Sequence, residues 1–84
     1  MLFMITQVHT PETCPKDEGG SDVLINKNAQ KLTIKGRWGA WSQHIIWYLV
    51  EADSADAIQE FLDPGMKRST CTVVPVTESY VKPL

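Results

Sequence analysis

Two histidines and two cysteines carry most of the chemistry this sequence can offer: His9, Cys14, His44 and Cys71. Neutral imidazole and thiolate are the donors that borderline and soft ions such as Zn²⁺, Cu and Ni prefer, so a convergence of His9, Cys14 and His44 would make a transition-metal site. Glu12, Asp17 or Glu18 could complete it with a carboxylate. The spacing between His9 and Cys14 matches no standard metal motif and no CxxC pair is present, so spacing alone does not demand a metal. Two other chemistries use the same residues. Cys14, in a polar loop near a histidine, could act as a thiolate nucleophile or redox sensor. His9 or His44 could act as a general acid or base, because an unperturbed imidazole titrates at about 6.5. The opposing interpretation makes both histidines strand-end residues hydrogen-bonded to water or loop backbone. It also makes Cys14 an ordinary loop cysteine and Cys71 a small buried apolar residue.

Trp38, Trp41, Trp47 and Tyr48 add large flat surfaces on two neighbouring segments. Trp38, Trp41 and Tyr48 are candidates to line a ligand cavity, and an interface core is the competing use for such aromatics. No P-loop, GxGxxG, GxSxG or HExxH motif occurs.

These side chains meet only if the elements that carry them are threaded suitably. Residues 2–9 mix β-branched, aromatic and apolar types and stop before Thr10-Pro11, which predicts a strand. A period of two puts Phe3, Ile5, Gln7 and His9 on one face. Residues 10–20, with two prolines and two glycines, have loop composition and carry Cys14. Ser21 could cap a helix whose inner side holds Ile25, Ala29 and Leu32; the alternative is a short strand over 23–25 turning at 26–28 into 32–35. Residues 33–42 predict a second strand, with Gly36 and Gly39 marking a bend or a close approach, and Ser42-Gln43 the connection. Residues 44–52 are a nearly continuous apolar run, as in a central strand buried on both faces. Asp53 or Ser54 caps a helix with Ile58, Phe61 and Leu62 on its apolar stripe, and Asp63-Pro64-Gly65 ends it. Residues 70–77 are a last strand, in which Pro75 points to an edge.

At 84 residues the chain has room for one domain, spanning 1–84, and its 43% hydrophobic and 21% charged content is that of a folded globular protein. A chain this short buries only about 60% of its unfolded surface, which favours reinforcement by a metal, a disulfide or a second copy. The net charge of −2 lacks the basic footprint of a nucleic-acid module. Residues 35–41 superficially look like an RNA-recognition RNP1 sequence, but they fall on the second strand, not the third, and no nucleic-acid partner is expected. The opening apolar run has no basic region before it and no small-residue cleavage site after it, and no stretch approaches the roughly 18 apolar residues of a membrane span. No membrane association and a cytoplasmic location are therefore expected, with Cys14 and Cys71 as thiols.

The predicted order of strand, helix, strand, strand, helix, strand is that of a ferredoxin-like α+β fold with an antiparallel sheet ordered 4-1-3-2. Helices would cover one face of such a sheet, and the other, still apolar, calls for a second copy. The first strand running into His9-Thr10-Pro11-Glu12-Thr13-Cys14-Pro15, residues 36–41, the strand leading into Val50-Glu51-Ala52-Asp53-Ser54, and Val73-Val74-Pro75-Val76 resemble the short proteins of the dimeric α/β-barrel superfamily. That resemblance spans nearly the whole chain and implies a homodimer packed sheet to sheet. It also implies kinship with muconolactone isomerase, small monooxygenases and stress-responsive barrel proteins. Their catalytic signatures are not recognisable here, so no catalytic role transfers.

The topology makes one further prediction. His9 ends the first strand and His44 begins its antiparallel neighbour, so both imidazoles should lie at one end of the sheet, with Cys14 in the loop leaving it and Cys71 nearby. The expected function is a homodimeric small-ligand or transition-metal binding protein. The alternatives are a cofactor-independent isomerase or monooxygenase using histidine as acid or base, and a structural dimer without chemistry.

Overall fold

The computed structural model describes residues 1–78; the tail to Leu84, to which the sequence assigns no element, lies outside the described residues. Four strands, β1 (Leu2–His9), β2 (Leu32–Ala40), β3 (Ile45–Ala52) and β4 (Ser69–Val76), form one antiparallel sheet in the order β2-β3-β1-β4. This is the expected 4-1-3-2 order counted from the other edge, with β1 and β3 central. The β1–β3 register sets Ile5 opposite Tyr48 and Gln7 opposite Ile46, so these side chains share a face. On that face Ile5, Ile46, Tyr48 and Val50 are buried. The sequence predicted a β3 buried on both sides. Instead its burial alternates, with Ile45, Trp47 and Leu49 only half-buried on the other face.

Helix α1 (Ala55–Leu62) covers the buried face. Ser54 caps it, its Oγ accepting from the Ala57 amide at 3.2 Å, and Asp56 sits favourably in the first turn. Ala57, Ile58, Phe61 and Leu62 recur at helical spacing and are all buried. Phe61 meets Tyr48 edge to face, with ring centroids 5.3 Å apart. A 3₁₀ turn at Asp63–Gly65 ends the helix where the sequence placed the stop. Among the described residues no helix is long and apolar enough to cross a membrane.

The first expected helix is absent, and so is the alternative strand over 23–25. Three short 3₁₀ turns, Pro11–Thr13, Lys16–Glu18 and Gly20–Leu24, connect β1 toward β2 instead. Asn26 explains why the chain does not continue helically: its Oδ1 accepts from the Asn28 amide at 3.0 Å, a local turn that competes with helix. Its own amide donates to the Phe61 carbonyl at 2.8 Å. The apolar residues assigned to that helix nevertheless find the core. Ile25 is buried, Ala29 and Leu32 pack partly against the core, and Leu24, outside the expected inner side, is buried too.

The β2–β3 connection also departs from expectation. Strand β2 ends at Ala40, and Trp41–Gln43 forms a 3₁₀ turn. His44 then occupies the left-handed region (φ 55°, ψ 42°), so it precedes β3 and is not its first residue. Gly36 follows a register shift, and a Cβ there would collide with the Trp38 indole, which is the close approach its glycine permits. Pro75 lies in β4, an edge strand, as predicted. The sheet face away from α1 carries Met4, Val8, Trp38, Trp47, Leu49 and Val74, all half-buried or exposed.

Candidate metal centre

His9 is the last residue of β1 and stands on the core side of the sheet, only 9% exposed. His44 reaches it because β1 and β3 are antiparallel neighbours, and the His9 amide donates to the His44 carbonyl at 3.0 Å, one step beyond the regular ladder. The two rings meet edge to face at a centroid distance of 4.9 Å, with His44 Nδ1 3.1 Å from His9 Nε2.

Cys14 returns to the histidines because the chain reverses just after β1. Pro11 pre-sets the backbone at the start of the 3₁₀ turn, and the Thr10 amide donates to Thr13 Oγ1 at 3.0 Å. The Cys14 amide closes the turn on the Pro11 carbonyl at 3.4 Å. One donor atom from each of His9, Cys14 and His44 then lies within 4.8 Å of the others.

The electrostatics suit ligation. Burial, followed by the positive charges of His44 and Arg68, pushes the His9 pKa down, so its ring is neutral near pH 7 and has a lone pair to give. Two imidazole nitrogens on one tetrahedral ion at bond lengths of about 2.05 Å would sit about 3.3 Å apart, close to the separation already present. His9 Nδ1 is buried and without a hydrogen-bond partner among the described residues. In either neutral tautomer this nitrogen is left unmet, a cost on the order of 1 to 3 kcal/mol that an ion bound at Nε2 would not relieve.

The other candidate ligands lie elsewhere. Cys71 pairs with Gln7, inward of His9 along the sheet, with Sγ 4.0 Å from Ser69 Oγ, and burial pushes its thiol pKa up. It stays outside the His9, Cys14 and His44 group, as do Glu12, Asp17 and Glu18. Glu18 is engaged by Arg68 at 2.6 Å, which holds its carboxyl below the usual range. The Glu12 carboxyl is held low by its own amide and then by the Thr10 hydroxyl. Cys14 and Cys71 are both free thiols.

A cleft of about 670 Å³ opens beside the trio, with Trp38, Trp41 and Lys16 also lining it. Trp41 is 86% exposed and Trp38 54%. Tyr48, expected to join the two indoles, does not reach the cleft. Strand alternation turns it into the core, where it is fully buried and its hydroxyl donates to Gln7 Oε1 at 2.8 Å. Gln7 is the residue sequence reasoning undervalued. Fully buried, it also donates from Nε2 to the Leu24 carbonyl at 3.1 Å and to Ser69 Oγ at 3.3 Å. Its signal was present, since a glutamine on the face of Ile5 and His9 must find partners inside. Arg37, likewise unremarked, bonds Ser21 Oγ at 2.6 Å and Asp22 at 2.7 Å, and lies over the Tyr48 ring.

A protein-family model described as a domain of unknown function, DUF3303, matches residues 1–80. No curated protein and no solved structure matches the chain.

Proposed function

The chain belongs to the DUF3303 family of domains of unknown function, and from the geometry of its site we propose that it binds a transition-metal ion through His9, Cys14 and His44. The observation that carries this reading is the approach of two imidazoles and a thiol, far apart in sequence, to within 4.8 Å. Mixed nitrogen and sulfur donors select Zn²⁺, Cu or Ni over Mg²⁺ or Ca²⁺. Three protein ligands leave a coordination position for a small ligand, the pattern of reactive zinc sites as opposed to closed structural ones. The adjoining cleft falls in the size range of small-molecule sites, and the exposed Trp38 and Trp41 offer flat apolar surface to such a ligand. Lys16 also lines the cleft and adds a positive charge, so an anionic or polarisable aromatic ligand fits best.

The protein acts as a homodimer in this reading. The apolar sheet face away from α1 and the resemblance to dimeric α/β barrels both support a second copy packed sheet to sheet. The two free thiols fit a reducing, cytoplasmic setting.

Metal analysis of protein purified without an affinity tag, followed by Zn²⁺ titration calorimetry, tests the site. Wild type should take up about one ion per chain, and His9→Ala, His44→Ala and Cys14→Ser should each weaken binding by at least about a hundredfold, more than loss of an outer partner usually costs. Unchanged affinity in all three variants would reject ligation by these residues.

A second reading rests on the His9–His44 hydrogen bond beside the cleft. A neutral His9 paired with His44 can pass a proton, as a cofactor-independent isomerase or monooxygenase would require. Turnover of an enolisable substrate by metal-free protein, lost in His44→Ala, would favour it. A protein that sediments as a dimer and binds neither metal nor small molecule would fit the third alternative, a structural dimer.

A further inference from the structure

Cys14 sits in a segment with little regular structure, so something must hold its thiol against the two histidines. The backbone hydrogen bonds of residues 11–18 are all local, closing Thr13 on Thr10, Cys14 on Pro11, and both Glu18 and Gly20 on Pro15. The side-chain bonds of Thr10 and Thr13 are local as well. Among the described residues, the hydrogen bonds that tie this segment to the body of the molecule come from one side chain, Arg68.

Arg68 is well placed for this. Its amide donates to the Gly65 carbonyl at 3.0 Å in the turn that follows α1. The next residue, Ser69, opens β4 directly opposite His9. From there Nη2 donates to the Thr13 carbonyl at 3.0 Å and to Glu18 Oε2 at 2.6 Å, while Nη1 donates to Glu18 Oε1 at 3.0 Å. The guanidinium thus grips the loop on both sides of Cys14, at the residue before it and at a carboxylate four residues after it. The forked pairing is specific to arginine, because an ammonium cannot present parallel N–H groups to a carboxylate and a third to a carbonyl.

We infer that Arg68 is the positioning residue of the centre, clamping the loop so that the Cys14 thiol stands within ligand distance of His9 and His44. The inference rests on the metal-binding reading and adds a residue that touches no ion. It assigns Arg68 and Glu18 to cysteine placement and leaves the histidine pair to the end of the β1–β3 ladder, where the His9 amide donates to the His44 carbonyl and the two rings hydrogen-bond without help from the loop.

The test uses the full chain, Co²⁺ as the metal probe, and two independent readouts. Thiolate bound to Co²⁺ gives a ligand-to-metal charge-transfer absorption in the near ultraviolet, which reports Cys14 alone. Arg68→Gln should lose that absorption and bind Co²⁺ at least about tenfold more weakly, approaching Cys14→Ser, because outer-sphere partners of metal ligands carry effects of 10- to 100-fold. Arg68→Lys should recover only part of the signal. Glu18→Gln, an exposed change that leaves the core untouched, should lose less in the same direction. The second readout needs no metal. The carbon-bound ring protons of His44, followed by NMR, should shift on Cys14→Ser in the wild-type background and stay unmoved by that change in Arg68→Gln.

Arg68→Gln that keeps the absorption and binds within threefold of wild type would overturn the inference. So would a His44 resonance that responds equally to Cys14→Ser in both backgrounds. Failure of the wild type to take up Co²⁺ would instead reject the metal reading, and the NMR comparison would then decide the clamp by itself.

Discussion

At the residue scale, the most constrained polar group outside the candidate centre is Gln7. It satisfies the Tyr48 hydroxyl, the Leu24 carbonyl and Ser69 Oγ at once, and it is fully buried while doing so. Replacing it with an apolar residue of similar volume strands two of these groups without water. Gln7→Leu should therefore cost about 2 to 4 kcal/mol in urea unfolding, a large share of the stability of so small a domain. Tyr48 adds a pH dependence whose sign is fixed. Burial, against a smaller opposing effect of the Arg37 charge, pushes its hydroxyl up to about 12. The neutral form is thus favoured in the fold, and an unfolded tyrosine ionises near 10. The stability from this group is full below about pH 10 and is lost as pH rises from there toward 12, on the order of 2 kcal/mol in all. Denaturant midpoints of wild type between pH 8 and 11 should fall more steeply than those of Tyr48→Phe; parallel curves would contradict the assignment. His9 works in the other direction, since its lowered pKa keeps a neutral imidazole available to the centre near pH 7.

At the element scale, the parts that matched their sequence signals are those with a periodic apolar pattern bounded by a cap or a breaker. Helix α1 begins at the Ser54 cap and ends at Asp63-Pro64-Gly65, and each boundary rests on local chemistry visible in the letters. Ser54→Ala removes the acceptor for the Ala57 amide and should cost about 1 kcal/mol, seen as a lower thermal midpoint with an unchanged far-ultraviolet spectrum at 20 °C. The segment after Gly20 failed for a reason of the same kind. Its apolar spacing suits helix, yet Asn26 and Asn28 form a turn that satisfies the backbone more cheaply than continued helix would. Ile25 was placed inside and is buried, with Leu24 beside it buried as well, though the backbone presenting them is irregular. The shift of His44 from strand to left-handed turn is a boundary effect of one residue. It aims the ring across the end of the sheet at His9, whereas a place in the ladder would fix the ring by the strand's alternation.

At the scale of the whole molecule, the sheet has one face under α1 and one face on which Met4, Val8, Trp38, Trp47, Leu49 and Val74 remain half-buried or exposed. If that face seats a second copy, Trp47, which lies between Thr6 and Trp38 in the strand registers, is near its centre. Trp47→Glu should then turn a dimer into a monomer by sedimentation and make the thermal midpoint independent of protein concentration. A wild type that sediments as a monomer would remove the barrel arrangement. Which segments could be strands, where the capped helix lies, and that the imidazole and thiol chemistry is confined to four side chains were all legible in the letters. Hydrophobic period, caps and breakers are local, so they are written in neighbouring letters. The expected topology already set His9, Cys14 and His44 at one end of the sheet; it took the folded structure to leave Cys71 out of that group, to turn Tyr48 into the core and to bring Arg68 back across 50 residues to Glu18. Those outcomes depend on strand register, on which way each residue faces, and on long-range hydrogen bonds that have no local signature, because the partners are brought together by burial of the sheet against α1 and not by their spacing along the chain.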